Sequence, residues 1–179
     1  VILVTTKRGK SGKPRINLSS SLSISSFSAK PSLMNSEQFA IYENEIADRL
    51  GNALPFSQSD INNFASGSDP INFPNTNWFN STFANTAKET RNSISVSGGS
   101  DKATYFVSAD NLKREGLFAS GDTDFNQNQV RSNIDVNISD DVKLSVDLSG
   151  RFSTQNEPGV PINFIYKHIY TNFPTVLDV

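Results

Sequence analysis

His168 is the only imidazole among the 179 residues, and cysteine is absent. A thiol nucleophile, a Cys-ligated metal and a disulfide framework are therefore excluded. A histidine-based metal site or an ordinary triad would have to be built round His168. Neither a Glu-x-x-His nor a Gly-x-Ser-x-Gly context is present to build it. His168 reads as a structural or surface residue. Asp140-Asp141 and the pair Asp122 and Asp124 offer oxygen ligands for calcium, but neither has the Asp-x-Asp-x-Asp-Gly spacing that wraps a loop round the ion. Both read as turn formers. Gly9-Lys10-Ser11-Gly12-Lys13 has residue types that can cradle a phosphate, yet it lacks P-loop spacing and no helix follows it. The sequence is expected to be no enzyme, with no cofactor and no metal.

The remaining binding chemistry is aromatic. Trp78, with the neighbouring Phe73 and Phe79, is the candidate substrate-binding set, since flat rings of this kind stack on sugar faces. The same rings could equally pack a loop against its surroundings, and both readings stay open. Lys and Arg number 16 against 18 Asp and Glu, a formal charge of −2. That balance lacks the global basic field of a nucleic-acid binder, so no nucleic-acid partner is expected.

The elements that must position these residues are mostly strands. Ile16, Leu18, Leu22 and Ile24 alternate with Asn17, Ser19, Ser21 and Ser23, which predicts a strand over about 15–27. Four more alternating runs predict strands over about 92–99, 103–112, 127–138 and 142–153. In the last two, Val130, Ile134, Val136, Leu144, Val146 and Leu148 face one way, and Arg131, Asn133, Asp135, Ser145 and Asp147 the other. One helix is predicted over 36–50. Asn35 and Gln38 form a capping box there, Phe39, Tyr42, Ile46 and Leu50 recur at helical spacing, and Gly51 offers a stop. Residues 7–15, rich in Lys, Arg and Gly, read as a solvated linker. The apolar run Val1–Thr6 reads as a strand buried on both faces, and both ends of the sequence look cut.

Connection lengths carry the most information. Residues 98–102 and 139–141 are tight turns, whereas the other connections are long, and the two kinds alternate strictly. No run of about 18 apolar residues exists for a membrane-crossing helix, but a transmembrane strand needs only every second residue apolar. Short turns at one end and long loops at the other are the habit of outer-membrane barrels. A soluble sandwich has no reason to segregate its loops in this way.

Several segments resemble one family in order along the chain. Val1-Ile2-Leu3-Val4-Thr5-Thr6-Lys7-Arg8-Gly9-Lys10 resembles the closing plug strand of TonB-dependent outer-membrane transporters of the SusC-like class. Asn35-Ser36-Glu37-Gln38-Phe39 and Thr76-Asn77-Trp78 are similar to the helix and a segment of that family's first long loop. Ser95-Val96-Ser97-Gly98-Gly99-Ser100-Asp101-Lys102 with Thr104-Tyr105-Phe106 is similar to its early periplasmic hairpin. Asn111 to Gly116, then Asp124-Phe125 with Arg131, Asn133 and Asp135, resemble the strands that follow. Asn128-Gln129-Val130-Arg131 departs from the Lys-Arg-Tyr usual near this point.

The resemblance implies an all-β antiparallel meander, the first part of a transmembrane barrel, with a short helix in the first extracellular loop. Residues 1–13 would be the last plug strand and linker, and 14–179 the N-terminal portion of the barrel. It also implies import of oligosaccharides or peptides across the bacterial outer membrane. The implied partners are a SusD-like surface lipoprotein, outer-membrane lipid, the glycan or peptide substrate, and TonB through parts of the protein outside this chain. The alternative is a soluble all-β carbohydrate-binding or adhesin-like module.

Overall fold

The period-two segments form one five-stranded antiparallel sheet whose spatial order is its chain order. The computed structural model describes residues 6–178, so the expected strand over Val1–Thr6 lies, but for Thr6, outside the described residues. The strands are β1 (Gly12–Ser26), β2 (Thr86–Gly99), β3 (Ala103–Glu115), β4 (Asp124–Asn137) and β5 (Lys143–Gln155). The turn at 100–102 is closed by Ser100 N–H donating to the Ala103 carbonyl at 2.7 Å, and the next by Ile138 N–H donating to Val142 at 2.8 Å. Each of the five strands expected from alternation is present, and most are longer than alternation alone indicates. β2 begins at Thr86, not near 92, because its polar start pairs with Leu112, Lys113 and Arg114. Apolar alternation marks only the stretch that must avoid water, so it understates strands whose ends are polar on both faces.

Register decides which side chains share a face. Ile94 lies opposite Ala109, and Val96 opposite Val107. Tyr105 lies opposite Ile134 and Ala109 opposite Val130, while Val136 faces Leu144 and Ile134 faces Val146. These join into one largely apolar surface whose side chains are exposed: Leu18 is 77% exposed and Phe152 71%. The opposite surface carries Ser93, Asp110, Gln129, Arg131, Asp135, Asp147 and Arg151, the polar partners of the same registers.

The sheet with residues 6–11 is one compact unit. A second is formed from 26–85, 117–122 and 158–179, the long connections of the meander. It holds α1 (Ser36–Arg49), α2 (Gln58–Ser66), α3 (Trp78–Thr82) and α4 (Ile162–Thr171). The capping box of α1 forms as expected between Asn35 and Gln38. The other three helices are absent from the sequence reading. Ser57 and Asp60 make a second capping box at α2, which ends at Gly67 with φ 61°. Asn77 caps α3 through the Asn80 N–H, and α4 has no side-chain cap at all.

Phenylalanines bind this second unit together. Phe79, 4% exposed, and Phe83 pack with Ile169. Phe27 and Phe118 close on that core, with ring centroids 5.0 Å and 4.9 Å from Phe79 and Phe83 respectively. A second row runs from Phe173 through Phe39, Phe56 and Phe64 to Phe73. Edge-on and tilted arrangements of this kind suit the quadrupoles of the rings.

Candidate functional site

Two places concentrate polar or aromatic groups that could meet a ligand or a neighbouring segment. The first is on the polar face of the sheet. Residues 6–9 lie against it, fastened at three points. Asn133, 3% exposed, donates its amide to the Lys7 carbonyl at 2.6 Å. The Arg8 guanidinium then bridges Asp135 at 3.0 Å and Asp147 at 2.5 Å, on adjacent strands. Asp135 is also bonded by Ser145 Oγ at 2.6 Å and approached by Lys143 at 3.6 Å. Gly9 presses onto the backbone of Tyr105 so closely that a Cβ there would clash with it. A planar guanidinium suits this bridging, because its fork can bond two carboxylates at once. The basic stretch 7–15, expected as a solvated linker, is thus divided. Its first part is fastened to the sheet, and from Gly12 it is already β1. Charge runs are usually solvated, but here carboxylates on β4 and β5 bind Arg8 directly.

The second place lies within the helical unit. A cavity of about 370 Å³ is lined by Met34, Phe39, Tyr42, Trp78, Tyr170 and Phe173, among others. Trp78 is half-buried and donates its indole N–H to the Phe173 carbonyl at 3.0 Å, which fixes the ring on the cavity wall. Thr76 tethers the same C-terminal stretch, its N–H donating to Pro174 and its hydroxyl to the Val176 carbonyl. Ser36, fully buried, donates its hydroxyl to the Pro74 carbonyl at 2.6 Å and anchors α1 to this loop. Two acidic groups of this unit bond their own local segments. The Asp60 carboxyl is held below its ordinary range chiefly by the Ser57 hydroxyl, and that of Asp69 chiefly by the Asn72 side chain.

The structure separates the three aromatic residues expected to bind substrate. Trp78 lines the cavity, while Phe79 is buried in the Phe83–Ile169 core and Phe73 packs edge-on against Phe64 at 5.3 Å. Tyr42, Tyr170 and Phe173, which also line it, were not singled out from sequence. Tyr42 sat on the expected helical stripe, whereas Tyr170 and Phe173 belong to a region where the alternation gives no signal. His168 stacks edge-on against Phe164 at 4.2 Å. Among the described residues, no group of three acidic or imidazole side chains could hold a metal ion.

The strands form an amphipathic meander, polar on one face and largely apolar on the other, with the helices gathered in its long connections. Known proteins share this arrangement. The chain is similar to the TonB-dependent receptor P26 of Formosa agariphila, 28% identical over 146 residues and 80% of its length. It is likewise similar to the TonB-dependent receptor P3 of the same organism, at 26% over 156 residues and 87% of its length. The chain spans only 13% of the length of either relative. Among solved structures, those of the RagAB peptide transporter and of the RagAB importer in its closed-closed state share the fold. Their TM-scores are 0.66 and 0.64, at 20% and 19% identity, covering 84% and 86% of this chain and 19% of theirs. No family model matches. The resemblance read from the residues to TonB-dependent receptors is borne out, and so is the fold, a five-stranded stretch of barrel whose sheet is not closed on itself.

Proposed function

We propose that this chain is a stretch of wall from a TonB-dependent importer of oligosaccharides or peptides in the bacterial outer membrane. The observation that supports it is the sheet's division into two faces. A predominantly apolar surface extends from β1 to β5, is covered by no other segment of its unit among the described residues, and belongs in hydrocarbon. The charged surface opposite belongs to a wet lumen, where the bridged Arg8 fastens the preceding chain. A SusD-like lipoprotein, and TonB acting through other parts of the protein, complete the proposal. Within the helical unit, Trp78 is the residue proposed to meet substrate, its ring held on the cavity wall by Phe173. The soluble-module reading would need a second layer over the apolar face of the sheet, and the relatives do not favour it.

Single cysteines introduced along β1 and β5 of the full-length protein test the wall. Carrying a fluorophore in vesicles, positions 18 and 146 should be quenched by brominated lipid, and positions 19 and 149 by aqueous iodide. A pattern without period two would reject the barrel. Trp78→Ala should weaken substrate binding while Trp78→Phe retains part of it. Equal affinity in all three proteins would remove Trp78 from the site.

A further inference from the structure

The cations of the polar face fall into two groups. Arg8 and Lys143 share the carboxylates of Asp135 and Asp147, and Arg114 bonds Glu89 at 2.6 Å. Arg131 and Arg151 make no ion pair and no side-chain hydrogen bond among the described residues, although both lie well inside their strands. Their placement is specific. Arg131 lies opposite Ser149, and Gln129 opposite Arg151. The two arginines are therefore diagonal neighbours, with Cα atoms about 7–8 Å apart, on a block whose other corners are a hydroxyl and an amide.

On the β3 side the block continues with Ser108 opposite Arg131 and Asp110 opposite Gln129. Asp110 is near enough to moderate Arg131 but forms no ion pair with it. Gln129, Ser149 and Ser108 also make no side-chain hydrogen bond among the described residues. Beside the block is a depression of about 270 Å³ lined by Lys7, Phe106, Ser108, Asp110, Gln129 and Arg131. The Lys7 carbonyl is fixed by Asn133, which keeps a further cation at the depression that Arg131 lines.

Two like charges at this spacing repel, and elsewhere on the face Arg8 and Lys143 have Asp135 and Asp147, and Arg114 has Glu89, to relieve that. At this block the residues directly opposite are a hydroxyl and an amide, and the diagonal carboxylates Asp110 and Asp147 form no ion pair with either arginine among the described residues. An oxyanion would relieve the repulsion and use the idle donors together, since guanidinium forks match carboxylate, phosphate and sulfate oxygens in pairs. We propose that Arg131 and Arg151, with Gln129 and Ser149, form an anion subsite on the polar wall for a sulfate, phosphate or carboxylate group of the transported molecule. The proposal rests on the transporter reading, which makes this face a lumen lining.

The probe is inorganic sulfate, titrated calorimetrically into the full-length detergent-solubilised protein at constant ionic strength without chloride. The wild type should bind it saturably. Arg131→Gln with Arg151→Gln should weaken binding about tenfold or more, two charge-assisted contacts being lost. Arg131→Lys with Arg151→Lys should keep part of the affinity, because charge survives while the forks do not. Undiminished binding in the Gln pair would overturn the subsite. Absence of saturable binding in the wild type would also overturn it, and would assign the two arginines to acidic groups elsewhere in the longer protein. Membrane insertion, followed in parallel by the heat-dependent gel mobility typical of folded barrels, separates the two failures. Inserted protein that ignores sulfate defeats the subsite alone, whereas protein that never inserts defeats the transporter reading and the subsite with it.

Discussion

The sheet and the helical unit solve opposite problems with the same chain. The sheet unit carries 13 Lys and Arg against 10 Asp and Glu, the helical unit 3 against 8. The sheet is held by backbone ladders and leaves most of its large apolar side chains exposed, whereas the helical unit hides Phe64, Phe79, Phe83 and Ile169. The contrast shows where each gets its stability. A unit with its own core loses stability when a ring is removed. A unit whose apolar face meets an outside medium loses it when that medium is offended, and only on the face that touches it.

Removing the Phe79 ring should have the largest effect, since truncating a buried phenylalanine costs about 3–5 kcal/mol. In urea unfolding of the full-length protein, a probe in the helical unit should report Phe79→Ala while a probe on β4 stays near its original midpoint. If both shift together, the two units are not independent. Next in size is Val146→Arg, expected to cost about 2–4 kcal/mol near mid-bilayer. Ser149→Arg, on the other face of β5, should cost much less in the same lipid vesicles. Equal losses would erase the distinction between the faces.

A smaller effect is expected where residues 6–9 are fastened. Arg8→Gln removes both bridges to Asp135 and Asp147, so trypsin should cut after Lys7 several-fold faster than in the wild type, seen by mass spectrometry. An unchanged rate would mean that Asn133 and the Gly9 contact suffice. The smallest is a pH effect confined to the helical unit. The Asp60 carboxyl titrates below its unfolded value of about 3.9. Its contribution at the start of α2 is therefore present above that value and lost as pH falls through the lower, folded one. Amide exchange at residues 58–60 should quicken only in strong acid, and Asp60→Asn should remove that dependence.

Much of the sheet was legible because each strand repeats a two-residue pattern and a register shift would turn all of it over. The helix at 36–49 was legible for a similar reason, since Asn35 and Gln38 announce its start. What escaped depends on distant partners. Ser57 and Asp60 also form a capping box, but the helix that follows is short and holds a single buried residue, Phe64. α4 follows Pro161 with no side-chain cap, and its ring contacts reach Phe83, far away in sequence. Of the aromatic candidates, residue type identified Trp78, but nothing local distinguishes its wall position from the buried one of Phe79. That Arg131 and Arg151 make no ion pair among the described residues was hidden too. Their alternation with apolar neighbours was plain, yet pairing is a property of the register between strands.

The contact between Phe27 and Phe83, 5.3 Å between ring centres, has a kinetic consequence. β2 and β3 meet across a turn at 100–102, and hairpins of that kind close in microseconds. β1 and β2 are separated by residues 27–85, so their pairing carries a loop-closure penalty larger by roughly 2–3 kcal/mol. Phe27 directly follows β1 and Phe83 precedes β2 by three positions. Once the helical unit has collapsed, those rings hold the two strand ends within reach and the long loop is already closed. Assembly of this edge should then wait on the helices, with β1 as the last of the five strands to join.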